Sequence, residues 1–211
     1  MSILIIALAP VIIIAFYIYY RDKYEKEPFG MLVKGPLLGA VIVLPIVLIE
    51  FGLKSFENQL PFPTFYEAFV VAGFTEELFK YAAVLFLIWG NKNFNERFDG
   101  IVYASFVSLG FAAVENILYV AENGTGVGLL RAFTSVPMHA LTGIFMGYQL
   151  GRAKFVPEER QKRLLLAFFI PFLLHGIYDY LLESGSWALL IFVPFFIFLM
   201  AKGFKTLENK E

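Results

Sequence analysis

The 211-residue chain contains no cysteine. That excludes disulfides, a thiol nucleophile and a cysteine metal site, and it leaves the redox compartment unread. Charge is scarce too: 17% of residues are Asp, Glu, Lys or Arg, against about 25% in an ordinary soluble domain. With a formal net charge of −1, there is no basic surface to attract nucleic acid. Several catalytic patterns are missing. The sequence holds no His-Glu-x-x-His, no Gly-x-Ser-x-Gly and no glycine-rich phosphate loop. Ser105, Ser108 and Ser135 have no clear base partner. Asp179 is the only aspartate deep in an apolar run, so a two-aspartate mechanism fails. The first apolar run, Ile3 to Tyr20, has no positive charge before it; Arg21, Lys23 and Lys26 follow it. A secretory signal peptide shows the opposite order and a shorter core, so the run is kept as a first transmembrane helix.

What the chain has in abundance is hydrophobicity: 59% of residues are hydrophobic and 18% aromatic. Several apolar runs exceed the roughly 18 residues that mark a membrane span. The expectation is an all-α polytopic membrane protein, one domain over residues 1–211, multi-pass in the cell membrane and partnered by the lipid bilayer. Seven spans are expected, at 3–20, 31–51, 65–89, 100–121, 129–150, 164–183 and 187–203. Lys and Arg in the connectors divide thirteen to two between the two sides, with Lys34, at the edge of the second span, left out. By the positive-inside rule the N-terminus is outside and the C-terminus cytoplasmic.

Against this apolar background a few polar residues stand out. Span 3 carries Glu76, Glu77 and Lys80; span 4 carries Glu115 and Asn116; span 5 carries His139; span 6 carries His175 and Asp179. Both histidines of the chain thus fall inside spans. A charged side chain at mid-bilayer costs about 2.5–3.5 kcal/mol on insertion scales, and such residues mark functional sites by default. Glu76 and Lys80 are i,i+4 and Glu77 and Lys80 are i,i+3, so the lysine partly neutralises the pair. His175 and Asp179 are also i,i+4, which lets the aspartate orient the imidazole, or lets both bind one ion. Each element also has a bland reading, as an internal salt bridge or an interhelical hydrogen bond. The coincidence of depth, from the midplane into the outer leaflet, argues for a shared cavity. Gly143 and Gly147 read as a helix-packing pair. The polar set suits hydrolysis: a carboxylate can deprotonate a water, and His or Lys can stabilise an oxyanion or protonate a leaving amine. The same groups could hold Zn2+, and the residues alone leave both routes open.

The strings EELFK at Glu76–Lys80, FAAVEN at Phe111–Asn116, MHALTG at Met138–Gly143 and HGIYDY at His175–Tyr180 resemble the PrsW family of intramembrane proteases. YEKEPFG, after the first span, is similar to that family's acidic, proline-containing first loop. The resemblance covers almost the whole chain, with CAAX prenyl proteases and bacteriocin-processing proteins as wider relatives. It implies site-1 cleavage of a single-span membrane protein, of anti-sigma factor type, near the external face. Glu76 and Glu77 take the paired-glutamate positions, Glu115 the glutamate of F-x-x-x-E, and His139 and His175 the two histidine positions. Asp179 stands where prenyl-protease relatives often carry Asn; an ionised aspartate cannot donate the hydrogen bond an asparagine would. The expected catalytic set is Glu76, Glu77, His139, His175, Glu115, Asp179 and Lys80. If a metal such as Zn2+ is used, its expected ligands are His139, His175, Glu115 and Asp179. The rivals are a prenyl-protease-like or peptide-maturing enzyme, a proton- or ion-coupled transporter, and a non-enzymatic sensor or scaffold.

Overall fold

A computed structural model describes residues 3–23 and 25–208; Tyr24 of the first-loop string, Lys210 of the tail and the extreme ends of the expected domain lie outside the described residues. Among the described residues the chain is helical, with no strand. Helix α1 (Ile3–Arg21) and α2 (Phe29–Lys54) are followed by a continuous helical run. That run consists of α3 (Pro63–Tyr66), a π-helical segment (Glu67–Phe74) and α4 (Thr75–Ile88). Then come α5 (Arg97–Asn123), α6 (Thr125–Phe133), α7 (Ser135–Phe155), α8 (Arg160–Glu183) and α9 (Leu189–Glu208). By length and composition five helices can cross a membrane: α1, α2, α5, α8 and α9.

Helix α5 is the axis of the bundle and packs against α1, α2, α4, α6 and α7. Every residue from Asp99 to Ala112 is buried, the pattern of a helix enclosed on all sides. The outer helices turn large apolar side chains outward, among them Phe16, Leu44, Phe51, Leu190 and Ile197. In a multi-pass membrane protein those faces meet lipid, which is as apolar as they are. Prolines inside α1, α2, α8 and α9 are tolerated because neighbouring helices re-satisfy the freed backbone groups.

Close approach of α5 and α7 depends on a stripe of glycines. A side chain at Gly143 would place its Cβ 2.7 Å from the Cα of Ser105 and 3.0 Å from the Ala104 carbonyl oxygen. Gly147, one turn on, lies directly against Gly100. The packing role expected for Gly143 and Gly147 is therefore the one they have. His139 is one turn before Gly143 on the same stripe, so the contact that closes the bundle also sets the position of that imidazole.

One expected span is divided. The run 129–150 is not a single helix: α6 ends at Phe133, Thr134 adopts φ −123° and ψ −73°, and α7 starts at Ser135. Upstream, Gly124 with φ +83° separates α5 from α6, a conformation open to glycine because it has no Cβ. The hydropathy of the segment hides the division, since α6 is as apolar on one face as a span would be. His139 thus sits four residues into α7, roughly 6 Å from its start.

Candidate active site

Four helices bring the polar residues of the sequence together. From α4 come Glu76, Glu77 and Lys80, all buried. Lys80 is the hub. Its ammonium nitrogen lies 2.9 Å from Glu76 Oε2, 2.9 Å from Glu77 Oε1 and 3.1 Å from His139 Nδ1. It also stands 4.1 Å from the centroid of the Phe111 ring, a cation–π contact. An ammonium has three protons and no lone pair, so each proton has one acceptor and His139 Nδ1 must accept. The other nitrogen, Nε2, then carries the proton and donates to Glu115 Oε2 at 2.7 Å.

His175 is enclosed differently. Its Nδ1 is 2.9 Å from Glu77 Oε1 and its Nε2 is 3.1 Å from Asp179 Oδ2. An ionised carboxylate only accepts, so an imidazolium satisfies both contacts. The two imidazoles meet edge to face, with centroids 5.3 Å apart. Glu77 Oε1 thus serves Lys80 and His175 together, while Glu77 Oε2 is buried without a hydrogen-bond partner among the described residues. An orphaned carboxylate oxygen in a buried site is costly unless something else occupies its lone pairs.

Burial falls from one side of the cluster to the other. Glu77 and Lys80 are fully enclosed, whereas the side chains of Glu115 and Asp179 are 18% and 20% exposed. These two carboxylates mark where the cluster opens. Each is one hydrogen bond behind a histidine, and both lie toward the bundle end carrying Gly124 and Ser184.

Arg131 was not anticipated as a site residue. It stands on α6 and reaches back to α5, with one guanidinium nitrogen 2.9 Å from Glu115 Oε2 and Nε donating to Asn116 Oδ1 at 3.0 Å. The Asn116 amide in turn donates to the carbonyl of Ala7 on α1 at 2.9 Å. The available signal was charge: Arg131 is one of two basic residues on the sparsely charged side of the chain. Phe111, on which Lys80 rests, lay inside FAAVEN and was likewise not singled out.

Among the described residues, the group able to ligate one ion is Glu76, Glu77, His139 and His175, all buried, with ligand atoms within 4.8 Å of one another. This set differs from the expected His139, His175, Glu115 and Asp179. The last two stand behind the histidines, each within hydrogen-bond distance of a ring nitrogen. Imidazole and carboxylate are the donors that zinc and similar divalent ions take, and the orphaned Glu77 Oε2 has lone pairs to give. The donor set therefore fits a divalent metal.

The sequence profile described as "PrsW family intramembrane metalloprotease" matches residues 27–203. The chain is 44% identical over 199 residues to Protease PrsW of Oceanobacillus iheyensis, covering 94% of this chain and 91% of that one. It is 38% identical over 193 residues to Protease PrsW of Bacillus subtilis, covering 91% and 88%. To Protease PrsW of Clostridioides difficile it is 34% identical over 217 residues, covering 99% and 91%. No solved structure matches the fold significantly.

Proposed function

The chain belongs to the PrsW family of intramembrane metalloproteases, and from that premise we propose that Glu76, Glu77, His139 and His175 are its hydrolytic centre. The observation that carries this reading is the meeting of these four buried groups, from three helices, within 4.8 Å. Bound there, a divalent ion such as Zn2+ would polarise the scissile carbonyl and acidify a water.

The protein's own groups have separable tasks in this reading. Glu77 Oε2, the oxygen without a partner, takes a proton from the attacking water as the water oxygen bonds to the carbonyl carbon. In the ion-free cluster Lys80 and His175 hold the other oxygen of Glu77. When the tetrahedral intermediate collapses, Glu77 passes that proton to the leaving amine, while His175, neutral when it ligates the ion, keeps its place. Asp179 keeps that imidazole oriented, and Glu115 does the same for His139.

The substrate we propose is a single-span membrane protein of anti-sigma factor type, cut near its external boundary in a site-1 cleavage. The thirteen-to-two division of Lys and Arg favours an orientation in which the Gly124 and Ser184 turns face outward. Glu115 is eight residues from the end of α5 and Asp179 four from the end of α8, which sets the opening roughly 6–12 Å below that surface.

The test compares new protein N-termini in membranes and medium from cells with the wild type and cells with Glu77→Gln, at matched expression. A membrane-protein fragment made with the wild type alone, and made again by purified protein in vesicles, supports the reading and names the substrate. Fragments cut at the cytoplasmic boundary would overturn the orientation and favour the prenyl-protease-like rival. No difference under envelope stress would overturn the assignment of Glu77.

A further inference from the structure

The Lys80 ammonium occupies the donors that a metal needs. It makes hydrogen bonds to Glu76 Oε2, Glu77 Oε1 and His139 Nδ1 at 2.9, 2.9 and 3.1 Å. Those residues are three of the four that can ligate one ion. The reach is typical of N–H hydrogen bonds. A zinc ion bonds the same kinds of atom at about 2.0–2.2 Å. An ion drawn in by those three donors would therefore sit within about 2 Å of the lysine nitrogen, closer than two cations can approach. The lone pair that His139 Nδ1 gives to Lys80 is also the one it would give to a metal, because Nε2 carries the proton bound by Glu115. Steric overlap and competition for the lone pair give the same result.

We propose that Lys80 is a built-in competitor for the metal centre: its ammonium and a divalent ion are alternative occupants of the Glu76–Glu77–His139–His175 cluster. This rests on the reading of that cluster as a metal-capable centre. With the ammonium in place, the buried glutamates are neutralised and the bundle is complete without an ion. When an ion enters, the four-carbon arm of Lys80 swings the ammonium away from the donors and toward the opening between Glu115 and Asp179. The competition makes occupancy depend on the free ion concentration, and it sets the cluster to favour ions that bind these donors strongly.

The test uses full-length protein in nanodiscs, stripped with a chelator and titrated with Zn2+ against a chromophoric zinc chelator. Lys80→Met is expected to bind one Zn2+ per chain at least ~10-fold more tightly than the wild type. Lys54→Met removes one positive charge outside the cluster, where Lys54 pairs with Glu67 at 2.7 Å, so it is expected to change affinity less than ~3-fold; this separates competition from a general gain in negative charge. Equal or weaker binding by a folded Lys80→Met protein overturns the competition and leaves the metal centre standing; weaker binding would make the lysine a ligand or a support. If neither protein binds Zn2+ while the wild type still cleaves, the metal reading falls together with the competition. Should Lys80→Met fail to fold, the wild type supplies the answer by amine labelling and mass spectrometry. Modification of Lys80, which is fully buried, should rise when Zn2+ saturates the protein. An unchanged level at saturation overturns the proposal.

Discussion

Replacing Gly143 by alanine adds one methyl group where the structure has no room for it. The new Cβ would lie 2.7 Å from Ser105 Cα, 3.0 Å from Ala104 O and 3.1 Å from Ser105 N. All three are backbone atoms, so no side chain can rotate aside. Ordinary carbon contacts are about 3.5–4.0 Å, and α7 must therefore retreat from α5 by about 1 Å. His139 is one turn away on α7, and Glu115 is on α5. Their 2.7 Å hydrogen bond would stretch to about 3.5 Å or more, past useful strength. Two stability effects oppose each other: alanine gains up to about 1 kcal/mol over glycine in a helix, and overpacking costs about 1–3 kcal/mol. The net loss should stay below about 2 kcal/mol, so the protein should still fold. Catalysis is more sensitive, because a misplacement of about 1 Å can cost ~100-fold in rate. The assay is cleavage of the proposed single-span substrate in vesicles, with thermal unfolding measured in parallel. Gly30→Ala is the control, since a Cβ there meets nothing within 4 Å, and it should leave both readouts unchanged. A folded Gly143→Ala protein that cleaves within ~3-fold of the wild type would refute the claim that the α5–α7 approach positions His139.

Three further outcomes are expected. Glu77→Gln keeps the shape of the side chain but loses the proposed base, so turnover should fall ~10²–10⁴-fold while the helical circular dichroism of the purified protein stays unchanged. Arg131→Gln loosens Glu115 behind His139 and should lower kcat ~10–100-fold with little change in KM; Arg131→Lys should recover part of the loss, and a merely structural Arg131 would instead lower thermal stability without this split. Outside the spans, burial pushes the Asp22 carboxyl up from its ordinary 3.8 to about 6, Lys26 opposing. The folded state then holds that proton more tightly than the unfolded one, so stability is fully present below pH ~4 and is lost as pH rises through about 6. Asp22→Asn should unfold at a higher temperature than the wild type at pH 8 and at a similar temperature at pH 4. A wild-type melting temperature that rises across this window as steeply as the variant's would contradict the assignment.

Contacts between near neighbours in sequence were legible before any coordinates. Glu76 with Lys80, Glu77 with Lys80 and His175 with Asp179 follow from helical spacing alone, and all three pairs are present. Helix existence was equally legible, because the expected spans are mostly long apolar runs that meet length and hydropathy requirements together. Lys80 to His139 spans 59 residues and His175 to Glu77 spans 98. Shared depth could suggest those meetings, but it could not say which atom faces which. The division of the metal-capable residues from the carboxylates behind them rests on such detail. Arg131 stayed hidden because α6 and α7 read as one apolar run. The break at Thr134 has one signal, Pro137 in the first turn of α7, whose missing N–H prevents the helix from running on from α6. The π-helical turn at Glu67–Phe74 had no sequence signal, since hydropathy is indifferent to the width of a helix.

The charge pattern also bears on how such a site can be assembled in lipid. Helix α4 carries two glutamates and one lysine of the cluster, so it enters the bilayer with part of its charge already compensated by neighbours one turn away. Glu115, Arg131, His175 and Asp179 are divided among α5, α6 and α8, where each alone is costly in hydrocarbon. Their partners become available when the helices meet: Arg131 for Glu115, and Glu77 and Asp179 for His175. Four carboxylates then face Lys80, Arg131 and the His175 imidazolium, leaving a single negative charge on the cluster as a whole. Bundle assembly and site formation are consequently the same event. The surplus charge is of the sign a cation would offset, and the interactions that make the helices associate leave the buried Glu77 Oε2 without a hydrogen-bond partner among the described residues.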